Sequence, residues 1–102
     1  MSEIARQARI RNRLGLHARP AAEFVRLAGR FGADIWVDKD GLEVNGKSIM
    51  GVMMLAAEAG SSIRIRASGE DARDAVASLV DLVHSGFGEE LADGIDSAEE
   101  PA

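Results

Sequence analysis

Ile63, Ile65 and Ala67 alternate with Arg64 and Arg66. Strict alternation of apolar and charged side chains marks a strand with one face in a core and the other in water. A sheet wetted on one side must carry its helices on the other, which leaves a two-layer architecture. Residues 3–11 read as a similar strand, with Ala8 and Ile10 inward, Ile4 further back, and Arg6 breaking the alternation. Ile35 and Val37 flank Trp36 in another strand, Lys39-Asp40-Gly41 is a hairpin turn, and Leu42 and Val44 continue beyond it. Helical spacing joins Ala21, Phe24, Val25 and Ala28, with Pro20 in the first turn and Gly29 and Gly32 at the end. A short apolar helix runs from Ser48 to about Ala57, before Gly60. Ser68 and Asp71 have capping-box spacing before a long helix lined by Ala72, Ala75, Val76, Leu79, Leu82 and Val83 and stopped by Gly86. The order β-α-β-β-α-β-α predicts an α+β open-faced sandwich, a four-stranded mostly antiparallel sheet with three helices on one face.

The chain has 102 residues, no cysteine and two histidines, His17 and His84. One domain is expected, with no disulfide, no cysteine nucleophile, no structural zinc and no other metal or cofactor. The net charge of −5 is uneven: Glu89, Glu90, Asp93, Asp96, Glu99 and Glu100 stand in a segment without lysine or arginine. The expected division is a domain over 1–88 and an acidic, disordered tail over 89–102. Arg6, Arg9, Arg11 and Arg13 interrupt the N-terminal region up to Leu14, so neither a signal peptide nor membrane insertion is expected, and the location is cytoplasmic. A basic sheet face would include Arg64 and Arg66, but Trp36 is the one aromatic available there for stacking, so nucleic-acid binding is not expected.

Two segments can carry chemistry. In Gly15-Leu16-His17-Ala18-Arg19-Pro20-Ala21, the histidine stands where loop becomes helix. The first helical N–H groups lack intrahelical partners, and with the helix dipole they favour an anion. The same dipole biases a histidine there toward neutral imidazole, a competent nucleophile. Ala18 and Arg19 stand where they could hold a phosphoryl group placed on His17. Read alone, His17 is equally a capping or surface residue. In Asn45-Gly46-Lys47-Ser48-Ile49-Met50-Gly51-Val52-Met53, Ser48 is a natural N-cap, and phosphoserine suits a helix start. Met50, Val52 and Leu55 are expected in the core. Ile49, Met53 and Ala56 share the other side, suited to a partner surface.

The two motifs together, at this separation, resemble HPr, the histidine-containing phosphocarrier of the bacterial phosphoenolpyruvate-dependent phosphotransferase system, over residues 4–88. The resemblance implies the HPr-like fold and phosphorylation of His17 at Nδ1 by phospho-Enzyme I, with onward transfer to a histidine of an Enzyme IIA. It implies that Arg19 and the helix-start amides hold the phosphoryl group. It makes Ser48 a regulatory site for HPr kinase/phosphorylase, and Ala18, Pro20, Ala22, Arg26, Ile49 and Met53 a docking surface. The protein would then be a stoichiometric, monomeric carrier rather than an enzyme. Asn12 to His17 and Ser85 to Glu90 are similar to the nitrogen-related NPr branch, whereas Lys47-Ser48-Ile49-Met50 is similar to HPr proteins with a regulatory serine. The alternative is a regulatory interaction module controlled at Ser48.

Overall fold

The computed structural model describes residues 2–92. Its elements are β1 (Ser2–Arg9), α1 (Ala18–Ala28), β2 (Asp34–Lys39), β3 (Leu42–Asn45), α2 (Ile49–Met54), β4 (Ser62–Gly69) and α3 (Ala72–His84), then a 3-10 turn at Gly86–Gly88. The four strands form one sheet in the order β1-β4-β2-β3, every pairing antiparallel. The strand that alternates most strictly, β4, is thus an interior strand. Ile65 lies opposite Arg6 of β1 on one side and Val37 of β2 on the other. Arg6 therefore shares the inward side, where it stays exposed on an edge strand, and this explains the broken alternation of β1.

Helix α3 packs on β1 and β4, and α1 packs on α2 and α3. Between the layers lies an aliphatic core in which, among the described residues, Phe24 is the one fully buried aromatic ring, in one cluster with side chains such as Ile10, Ile35, Ile63 and Leu79. The hairpin between β2 and β3 turns on Asp40 and Gly41, at φ 52° and 87°. Two successive positive φ values suit a two-residue hairpin loop, which is why Asp-Gly stands there. On the open face, Arg66 stacks 4.0 Å over the Trp36 ring and pairs with Glu43 at 3.0 Å and Glu3 at 3.3 Å. The sheet thus neutralises one of its own arginines. Among the described residues, no helix is long and apolar enough to cross a membrane.

Four expectations change. Helix α2 ends at Met54, and Ala56 turns left-handed at φ 48°. Val52 and Leu55 are buried, but Met50 is 75% exposed. A six-residue helix buries one face, and Met50, Met53 and Met54, at i, i+3 and i+4, form the other. The capping box between Ser68 and Asp71 does not form, because Ser68 belongs to β4. The Asp71 carboxylate instead accepts from the backbone N–H of Gly32 and of Ala33, both at 2.8 Å, and ties the α1–β2 loop to the start of α3. The hydrogen bond from Gly32, opposed by desolvation and helped by that from Ala33, holds its carboxyl below the usual range. Finally, residues 89–92, grouped by composition with the tail, run beside Arg11 to Arg13. Asn12 and Leu91 form a bridge, Arg13 N–H donates to the Glu90 carbonyl at 2.8 Å, and Ala92 N–H donates to that of Arg11 at 2.9 Å. The remainder of the expected tail, 93–102, lies outside the described residues.

Candidate functional site

His17 is the N-cap of α1, in extended backbone, with its carbonyl accepting from Ala21 N–H at 3.0 Å. Its side chain makes no capping bond, so the ring is left for other work. The loop before it is held from both sides. Asn12 Nδ2 donates to the Gly15 carbonyl at 2.7 Å, and Leu16 N–H donates to the Ala57 carbonyl at 2.9 Å. Gly15 sits at φ 69°, and a Cβ there would fall 2.4 Å from the Ala57 carbonyl oxygen. Gly15→Ala therefore strains the backbone and displaces the loop that aims His17. We expect a stability loss of about 1–3 kcal/mol in urea denaturation, together with slower chemistry at the histidine.

The ring meets a residue that sequence reasoning missed. His17 Nε2 lies 3.0 Å and 2.9 Å from the two carboxylate oxygens of Glu89. The same carboxylate accepts from Asn12 Nδ2 at 2.9 Å, and from Arg19 Nε at 2.9 Å and Nη2 at 2.6 Å. Arg19 also donates to the Phe87 carbonyl at 3.1 Å and pairs with Glu23 one turn along α1. Burial opposes ionisation of Glu89, but hydrogen bonds from His17, Asn12 and Arg19 outweigh it and hold the carboxyl below its usual range. Glu89 reaches the site because Phe87 is buried at φ 58° and anchors the turn after α3. In sequence it is one acid among several, and nothing local sets it apart, because its partners lie some seventy residues away.

The first turn of α1 contains no acidic residue, and Pro20 contributes no N–H, so the amides of Ala18 and Arg19 point out of the helix start. An arginine at the positive end of a dipole is unfavourable, and Glu89 and Glu23 supply the counter-charge that offsets it. Beside the ring lies a groove of about 650 Å³ lined by Leu14, His17, Met53, Ala56 and Glu58, among others. The loop histidine and the methionine face of α2 are thus neighbours. Ser48 caps α2 as expected, its Oγ accepting from Gly51 N–H at 3.0 Å. Of the expected docking residues, Ala18, Arg26, Ile49 and Met53 are exposed and Ala22 is half-buried. Pro20 is a correction: its ring is buried in the first turn of α1 and offers no surface.

The model of the family described as "PTS HPr component phosphorylation site" matches residues 4–85. The chain belongs to the HPr family. It is 47% identical over 78 residues to the phosphocarrier protein HPr of Neisseria meningitidis, covering 76% of this chain and 88% of that one. It is 44% identical over 80 residues to the HPr-like protein Crh of Bacillus subtilis, covering 78% and 94%. The crystal structure of HPr-C-His from Thermoanaerobacter tengcongensis superposes with a TM-score of 0.79 at 49% identity, covering 89% of this chain and 100% of that one. HPr proteins are phosphocarriers rather than catalysts, and the four-stranded sheet with three helices is their fold.

Proposed function

We propose that this HPr-family protein accepts a phosphoryl group on His17 Nδ1 from phospho-Enzyme I and passes it to a histidine of an Enzyme IIA. The observation that carries this reading is the placement of the His17 ring at the start of α1. Its Nε2 is engaged by Glu89, and it is free of any capping bond. With Nε2 occupied, the lone pair available for attack is on Nδ1. The amides of Ala18 and Arg19 and the positive end of α1 meet the oxygens of a phosphoryl group placed there. Arg19 joins them by exchanging part of its hold on Glu89 and Glu23 for the incoming anion. Ala18, Ala22, Arg26, Ile49 and Met53 supply the docking surface, and a carrier that must leave donor for acceptor needs a modest, transient interface. The test is transfer from phosphoenolpyruvate through Enzyme I, read as a mass gain of one acid-labile phosphoryl group. No gain with a cognate Enzyme I rejects the reading.

Ser48 is the proposed regulatory site, a substrate for a serine kinase of the HPr kinase/phosphorylase type. Its hydroxyl starts the helix that presents Ile49 and Met53. Ser48→Asp separates its two roles, because aspartate caps a helix about as well as serine does. We expect unchanged thermal stability and about tenfold weaker binding to Enzyme I, since a charge is set against an apolar docking face. Titration calorimetry and a melting curve check the pair. Equal binding by the variant removes Ser48 from the interface. A second reading, a regulatory module controlled at Ser48, is favoured by the likeness to Crh and predicts that His17 is dispensable for function.

A further inference from the structure

We propose that Glu89 holds the Nε2 proton of His17 through the whole phosphorylation cycle, so that the ring takes up and releases the phosphoryl group without moving a proton. The inference rests on the carrier reading of His17 and assigns a positioning residue to it.

The argument starts from hydrogen-bond chemistry. A carboxylate has acceptors only, and both of its oxygens lie within 3.0 Å of Nε2. The ring nitrogen must therefore be the donor. Asn12 and Arg19 bind the same carboxylate, which keeps Glu89 ionised and fixes its position. The contact is sheltered on the Glu89 side, whose side chain is 15% exposed against 37% for His17. In the neutral ring this leaves the lone pair on Nδ1.

The group-transfer steps then balance. The Nδ1 lone pair forms the N–P bond while the bond from phosphorus to the donor's nitrogen breaks, and the electron pair returns to the donor. His17 is now a phosphoimidazolium, positive on the ring, with its Nε2–H still donated to Glu89. In the onward step the N–P bond breaks, its electron pair returns to Nδ1, and neutral imidazole leaves with Nε2–H intact. Without the carboxylate, the phosphorylated ring loses its proton more readily, and the leaving group becomes imidazolate, a much poorer one.

Other charges stand around the site. Arg19 and Glu23 belong to α1, Arg13 to the preceding loop, where it pairs with Glu90 at 3.1 Å, and Glu58 to the groove wall after α2. Of the described carboxylates, Glu89 is the one bonded to the ring itself. Removing its charge should therefore dominate the pH response.

The experiment uses full-length wild type and Glu89→Gln, which keeps size and hydrogen-bonding capacity but not charge. Nitrogen-15 NMR of the unphosphorylated wild type reports the ring directly. At a pH where the ring is neutral, a pyrrole-like Nε2 and a pyridine-like Nδ1 are expected, and the reverse assignment overturns the proposal. That reading needs no variant to fold and no donor to work. In the phosphorylated protein, onward transfer should be slower in Glu89→Gln than in wild type, and the gap should widen above neutral pH. Coincident transfer rates in the two proteins across that range overturn the proposal. Absence of any phosphoryl uptake by wild type rejects the carrier reading instead, a separate outcome from the tautomer result.

Discussion

His17→Ala takes up no acid-labile phosphoryl group when incubated with phosphoenolpyruvate and Enzyme I, under conditions where the wild type gains one. The loss should be total, because the described site holds no second nucleophile in the same position: Glu89 is bonded to the ring, Asn12 and Arg19 are bonded to Glu89, and none attacks phosphorus as a neutral nitrogen lone pair. The variant should still fold. The His17 side chain caps nothing, and Glu89 retains Asn12 and Arg19 as partners. An unchanged melting curve with no mass gain therefore assigns the loss to chemistry. Residual labelling of the variant would move the acceptor elsewhere in the chain, and residual biological function without labelling would favour the Ser48-controlled module.

Phe24→Ala is the largest expected change in stability. The ring is fully buried, on the inward face of the same helix that begins at His17. Phe→Ala in a packed core costs about 3–5 kcal/mol, the transfer of the ring plus the cavity that partial collapse leaves. Small domains hold only about 5–15 kcal/mol in total, so a large share of the folded population is at stake. Urea denaturation should show a lower midpoint with an unchanged slope. A loss below 1 kcal/mol would mean that the neighbouring aliphatic side chains close the cavity. Because α1 carries both Phe24 and the His17 site, a destabilised variant should also lose phosphoryl acceptance as the temperature rises, in step with unfolding.

Much of this was legible along the chain. The alternation at Ile63 to Ala67 required a one-sided sheet, and the sheet has its helices on one face. The spacing of Ala21, Phe24 and Ala28 marked the buried face of α1, and Asp40-Gly41 marked the hairpin turn between β2 and β3. These signals are local: side-chain period and backbone preference act between residues a few positions apart. The loop-to-helix position of His17 and the cap at Ser48 are local for the same reason. Two positions differ from what local pattern predicts. Met50 is exposed, since an apolar run does not say which face a short helix buries. Asp71 bonds to Gly32 and Ala33, partners far away in sequence, and not to Ser68.

By itself, then, the sequence determined the two-layer architecture, the helix start that bears His17 and the serine that opens α2. Tertiary structure alone decided what surrounds the histidine. Glu89 comes from the far end of the chain, brought in by a buried Phe87 and by the pairing of residues 89–92 with 11–13. Composition assigned those acids to a solvated tail, since composition averages over a segment and carries no distances. An ion pair and a hydrogen bond form only when folding places particular atoms within about 3 Å, and that closure across the whole chain is what turned one glutamate from tail into site.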